Sequence, residues 1–191
     1  MHFRSFDLDG PVEIVPRKIA DERGYFAEIF REDRFRELVP TADFVQDNQS
    51  LSTRAGTIRG IHFQSHPAAQ GKLVRCLAGK LVDVAVDLRR DSRSYGRSIS
   101  VVLTPEECNQ LWIPVGFGHA FCTLEPDTII NYRVTSYYSA ENDRGVAWDD
   151  PDIAIEWPEL ADPATLSAKD RQQPSLAELP PYFSMEDQRC A

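Results

Sequence analysis

The sequence predicts an all-β fold, an antiparallel barrel or sandwich with a few short peripheral helices, and three observations point to it. Short runs rich in Val, Ile, Leu, Thr and aromatic residues dominate from about residue 44 to 156. Turn signals separate these runs at the spacing of antiparallel folds rather than of βαβ units. Helical patterning is sparse, with one helix expected near "REDRFREL", where Phe35 and Leu38 are the core-facing positions.

Taken in order, "KLVRCLAGKLVDVAVDL" reads as two strands about Ala78-Gly79-Lys80, a turn suited to a hairpin. In the second strand Val82, Val84, Val86 and Leu88 share one face, and Leu81, Asp83, Ala85 and Asp87 share the other. Such period-two alternation marks a strand with unlike faces. "SISVVL" runs into Thr104-Pro105-Glu106-Glu107, which carries a helix-start pattern of capping threonine, early proline and glutamate at the third position. Then come "QLWIP", the glycine corner "VGFGH", the run "AFCTL", the turn "EPD" and "TIINYRVTSYY". In this last run Ile130, Tyr132 and Val134 share a face, so Tyr132 points inward if that face is the interior. Beyond Trp157 five prolines punctuate the chain. The segment from about 158 to 191 is expected to wrap the barrel as a tail with short helical turns, within a single domain spanning 1–191.

The totals narrow the function classes. A chain of 191 residues buries a core without covalent staples. Its 21 basic and 30 acidic residues give a net charge of −9, which argues against broad nucleic-acid or anionic-membrane binding. The cysteines, Cys76, Cys108, Cys122 and Cys190, form no CxxC pair and fit packing roles in a reducing compartment. No signal-peptide run or span of roughly 18 apolar residues occurs, so a cytoplasmic, membrane-free protein is expected.

The chemistry concentrates in "RGIHFQSHPAAQGKLVR" and "PVGFGH". Pro114-Val115-Gly116-Phe117-Gly118-His119 matches the second half of a cupin metal motif. The first half, His-x-His followed by an acidic ligand, is missing: His62 is followed by Gln64, and Lys72 stands where a carboxylate is expected. An ammonium opposes a dication, so the expectation is a cupin-type jelly-roll that keeps its pocket and holds no metal. A lone strand histidine such as His62 is more often structural than a base, and what favours the base is the company of Arg59, Lys72 and His119. Strict alternation sends Arg59 and His62 to opposite faces, unless Gly60 carries a bulge that re-aims the strand. Asp83 is a candidate partner for His62 or His119, and Asp87 competes with it. Tyr132 reads as a core tyrosine or as an acid, and Tyr138 has the same parity.

The segments "DERGYFAEIF", "FVQDNQS", "TIRGIHFQ", "AQGKLVRC", "DVAVDLR", "LWIPVGFGHAF", "YRVTSYYS", "DRGVAWDDPDIAIEWP" and "LSAKD" together resemble the dTDP-4-dehydrorhamnose 3,5-epimerase family from about residue 4 to 176. The resemblance implies a homodimer without cofactor or metal. It also implies a dTDP-4-dehydro-6-deoxy-glucose substrate converted to dTDP-4-dehydro-L-rhamnose. By motif it assigns His62 as general base, Tyr132 as general acid, Asp170 as the carboxylate paired with the base, and Lys72 as the residue beside the carbonyl oxygen. Arg59, His119, Tyr138 and Lys169 become substrate contacts. Arg23, Phe26, Glu28, Gln46 and Asn48 become nucleotide contacts, the first three supplied by the partner subunit. Three departures, Phe63 and His66 in "GIHFQSH", "GFGHAF", and Asn131 before the acid, leave open inversion at C3 alone on a related dTDP-4-keto-6-deoxy sugar. A non-catalytic cupin that binds a nucleotide sugar is the alternative of a different class.

These residue types suit that reaction. A C4 ketone acidifies the hydrogens at C3 and C5, so inversion needs a base on one face and an acid on the other. A histidine takes protons near neutral pH, and a tyrosine with an ordinary pKa of about 10 still carries one to give. A lysine beside the developing O4 charge stabilises the enolate, and arginines fit the diphosphate.

Overall fold

The computed structural model describes residues 1–41 and 43–187. Among the described residues thirteen strands and one short α-helix follow one another: β1 (His2–Ser5), β2 (Val12–Val15), β3 (Lys18–Asp21), β4 (Gly24–Ala27), α1 (Glu32–Arg36), β5 (Gln46–Ser52), β6 (Ile58–Gln64), β7 (Lys72–Ala78), β8 (Leu81–Asp87), β9 (Ser98–Leu103), β10 (Gln110–Ile113), β11 (Phe117–Thr123), β12 (Thr128–Val134) and β13 (Asp143–Gly145). They build a six-stranded sheet ordered β1-β2-β10-β7-β12-β5, a five-stranded sheet ordered β13-β6-β11-β8-β9, and a separate hairpin β3–β4. Their neighbours all pair antiparallel, as expected of a jelly roll.

The side-chain alternation decides what fills the barrel. From β7 and β12, Val74, Cys76 and Ile130 face Leu81, Ala85, Leu103, Phe117 and Phe121 of the opposite sheet. The other face of β8 is apolar too because it is covered. Val84 and Val86 pack under Ile153, Leu176, Leu179 and Phe183 of the chain beyond β13, which runs as loops and 3-10 turns. Helix α1 is held by Phe35, which stands edge-on to Trp112 at 5.1 Å between ring centroids. Cys76, Cys108 and Cys122 are free thiols, and Cys190 lies outside the described residues.

Several local expectations are corrected. Ala78-Gly79-Lys80 does not close a hairpin: β7 pairs with β10 and β12, whereas β8 pairs with β9 and β11, so the turn carries the chain from one sheet to the other. Gly79 takes φ +72°, and a Cβ there would stand 2.3 Å from Thr128 Oγ1. The helix expected after Thr104 is a single turn. The cap bond forms, with the Glu107 amide donating to Thr104 Oγ1 at 3.0 Å. Cys108 then turns to φ 55°, and Asn109 Nδ2 donates to Glu13 Oε1 and Val102 O, which ends the turn and starts β10. Strands also begin far earlier than residue 44 and stop at Gly145 rather than 156.

The bulge at Gly60 is present. Arg59 stands opposite Phe121 and His62 opposite His119, so β6 spends three residues where β11 spends two. Gly60 has φ +124°, and a Cβ there would fall 2.4 Å from that of Ala120. The extra residue puts Arg59 and His62 on the same face. Ile61 and Phe63 then point outward into the cluster beneath the wrapping segment.

Candidate active site

The β6 bulge sets His62 beside a carboxylate 108 residues away. His62 Nε2 lies 2.5 Å from Asp170 Oδ1, and Asp170 is 4% exposed at the start of a 3-10 turn. The Ser167 amide donates to Asp170 Oδ2, and the Asp170 amide donates to Ser167 Oγ, which fixes the carboxylate orientation. Burial raises the Asp170 carboxyl, but hydrogen bonds from His62 and Ser167 and the histidine charge outweigh it and hold it below the usual range. An ionised Asp170 accepts from Nε2–H, so Nδ1 is left as the basic nitrogen of His62.

A second pair lies deeper. His119, directly across from His62, places Nε2 2.6 Å from Asp83 Oδ1, and both residues are buried. Burial pushes the His119 imidazolium down, against the pull of Asp83, so the ring is neutral. Asp83 Oδ2 has no hydrogen-bond partner among the described residues. Asp87, by contrast, is committed to Arg89, Ser92 and Ser94.

Lys72 opens β7 with its side chain inside the barrel. Burial pulls its ammonium down to about 8, while Asp83 and Asp143 oppose that drop. Its Nζ donates to His62 O at a long 3.5 Å, which leaves N–H capacity for a ligand. Tyr132 faces inward from β12 as its parity predicts, with its ring 6.4 Å from that of His119. Burial raises the phenol further than Arg59 lowers it, so it keeps its proton at neutral pH.

His62, Lys72 and Tyr132 line a cavity of about 260 Å³ together with Gln46, Asn48, Tyr138 and Lys169, with Asp170 bonded behind His62. Sequence reasoning missed Asp143, which lies on its wall. Asp143 accepts from Tyr138 Oη at 3.1 Å and from Lys169 Nζ at 2.5 Å. A three-residue strand has no periodicity to reveal, and only its register beside β6, Asp143 opposite Gln64, exposes its place. A larger cleft of about 680 Å³ between α1 and β5 is lined by Glu32, Asp43, Gln46, Asp47, Arg133 and apolar side chains and lacks a histidine or tyrosine to pair with its carboxylates. Arg59 is exposed and donates to Leu51 O.

Of the expected contacts, Arg59 and His119 do not line this cavity, and Arg23, Phe26 and Glu28 stay apart from it. Arg23 pairs with Asp21 on the β3–β4 hairpin, Phe26 is 68% exposed there, and Glu28 faces Arg31 at 3.9 Å. Among the described residues no group of three or more His, Cys, Asp or Glu side chains is arranged to hold a metal ion, and no helix is long and apolar enough to cross a membrane.

A jelly-roll barrel whose interior gathers a histidine–carboxylate pair, a protonated phenol and a buried ammonium holds the groups that a proton-transferring isomerase needs. The chain belongs to the dTDP-4-dehydrorhamnose 3,5-epimerase family, whose model matches residues 5–178. It is 54% identical to the dTDP-4-dehydrorhamnose 3,5-epimerase of Sinorhizobium fredii, over 96% of this chain and 93% of that one. It superposes with a TM-score of 0.86 on the Legionella pneumophila 3,5-epimerase in complex with dTDP-4-keto-L-rhamnose, at 40% identity and 94% of each chain. A 3'-monoepimerase from Streptomyces bikiniensis in complex with dTDP-quinovose superposes at 0.87, with 30% identity over 97% of this chain and 98% of that one.

Proposed function

We propose that the protein inverts C3 and C5 of dTDP-4-dehydro-6-deoxy-glucose to give dTDP-4-dehydro-L-rhamnose, by acid–base catalysis that needs no cofactor. The observation carrying this reading is His62, held by Asp170, in one cavity with Tyr132 and Lys72. His62 Nδ1 removes the proton at the carbon beside the ketone, and the electron pair moves onto O4. The Lys72 ammonium donates to that oxygen as charge develops, and its burial strengthens the bond. Tyr132 delivers its proton from the other side, the carbonyl re-forms, and His62 and Tyr132 reset by exchange with water. His119, neutral and held by Asp83, offers a fixed polar wall, while Lys169 and Arg59 suit the diphosphate.

Inversion at C3 alone is the second reading, favoured by the likeness to a 3'-monoepimerase. The higher identity to 3,5-epimerases supports the double inversion.

The working unit is a homodimer in the cytoplasm. The β3–β4 hairpin carries exposed Ile19, Tyr25 and Phe26 together with Arg23, a face that fits a partner subunit and its nucleotide. Free thiols suit a reducing compartment. Each subunit is one domain whose tail from about residue 158 wraps the barrel.

His62→Ala and Tyr132→Phe test the roles. Each is expected to lower kcat by about 10²-fold or more, with dTDP affinity within a few fold of the parent. A fully active variant of either would remove that residue from the mechanism.

A further inference from the structure

Gln64 is polar, 4% exposed and two residues beyond the candidate base, and no step of the reaction uses it. Its amide is fully engaged. Nε2 donates to Ala68 O at 2.7 Å and to Tyr137 O at 3.1 Å, and Oε1 accepts from the Ser139 amide at 2.7 Å. Both N–H donors are therefore spent on backbone, and none remains for a ligand. Two of the three bonds fall on either side of Tyr138, which is 61% exposed and lines the cavity. Two more glutamine side chains hold the same loop, Gln46 Oε1 accepting from the Tyr138 amide and Gln70 Nε2 donating to Ser136 O.

We propose that Gln64 is a positioning residue for substrate binding. It ties the loop that follows β12 to the end of the base-bearing strand, and so sets the Tyr138 ring over the cavity mouth. The inference rests on the epimerase reading only for the identity of the ligand. Loss of the side-chain amide frees Tyr137 O and the Ser139 amide in the loop after β12, and Ala68 O in the loop after β6, so Tyr138 loses its fixed position.

The test is a double-mutant cycle with dTDP as the probe, read by calorimetry. Gln64→Met is expected to weaken dTDP about tenfold, the order of one lost aromatic contact, and to raise KM in step. Tyr138→Ala should weaken it comparably, and the double variant should be no weaker than the worse single one. Additive losses would overturn the proposal, because Gln64 would then act independently of Tyr138. Hydrogen–deuterium exchange of the peptide spanning 135–141 should quicken in Gln64→Met, and unchanged protection would also overturn it. Should Gln64→Met fail to fold, Gln64→Glu, which keeps the acceptor for Ser139, carries the same cycle. A parent protein that binds dTDP yet converts no 4-keto sugar would sink the epimerase reading and leave this cycle intact. A parent without dTDP affinity would sink that reading too, and the exchange measurement still decides the tether.

Discussion

Replacing Lys72 with methionine should make the protein more stable and far less active. The ammonium is buried, and burial takes its pKa from an ordinary 10.5 to about 8 even with Asp83 and Asp143 attracting it. At about 1.36 kcal/mol per pH unit, this corresponds to a destabilisation of about 3 kcal/mol whenever both folded and unfolded chains are protonated, that is, below pH 8. Between pH 8 and 10.5 the folded protein has released the proton while the unfolded chain still holds it. The unfolded state then binds more protons, so this contribution to stability rises with pH and the destabilisation fades. Asp83 loses a neighbour in Lys72→Met, which offsets part of the gain. The expected difference at pH 7 is about 1–3 kcal/mol in favour of the variant, shrinking toward zero near pH 10. Chemical denaturation at fixed protein concentration, repeated from pH 6.5 to 10, reads this curve. The same variant should lose about 10²–10³ in kcat, as expected for removal of a donor to a developing oxyanion. In the parent, kcat/KM should fall as pH rises through about 8. A variant less stable than the parent at pH 7, or a difference flat with pH, would refute the reasoning. Such a result would mean that Lys72 is matched by its surroundings rather than kept charged at a cost for catalysis.

Two further perturbations follow from the geometry. Gly145 pairs with His62, and a Cβ there would stand 2.5 Å from Gln173 Cδ and 2.6 Å from Ile61 O, so Gly145→Ala must shift the β6 backbone beside His62 and with it the His62–Asp170 pair. It should lower kcat by about 10- to 100-fold with dTDP affinity preserved, as measured by steady-state kinetics beside calorimetry; unchanged kcat would mean the strand yields without disturbing the pair. Phe26→Ser removes an exposed ring far from the cavity of its own chain, and should weaken dTDP roughly tenfold in titrations; unaltered affinity would free the hairpin from any nucleotide role.

The parts of the fold legible in the sequence were those with a short-range signature. Alternation in β8 and β12 placed Asp83 and Tyr132 on inward faces, and the conflict between Arg59 and His62 pointed to a bulge at Gly60. What was not legible depends on distant partners. A glycine corner looks the same whether it closes a hairpin or hands the chain to another sheet, and Gly79 does the second. Thr104 forms its cap, but Asn109 and its bond to Glu13, 96 residues earlier, cut the helix to one turn. Asp170 was reached by resemblance alone, since no local pattern ties it to a histidine 108 residues away. Asp143 and Gln64 act through loops that only the register of β13 against β6 brings together.

The most direct test of the account is NMR of dTDP-4-dehydro-6-deoxy-glucose incubated with the purified protein in D₂O. An acid–base pair that resets from solvent predicts deuterium at both C3 and C5, with a rhamnose-configured product. Deuterium at C3 alone would contradict double inversion and assign the protein to single epimerisation. A substrate recovered without deuterium at either carbon would contradict the roles given to His62 and Tyr132 altogether.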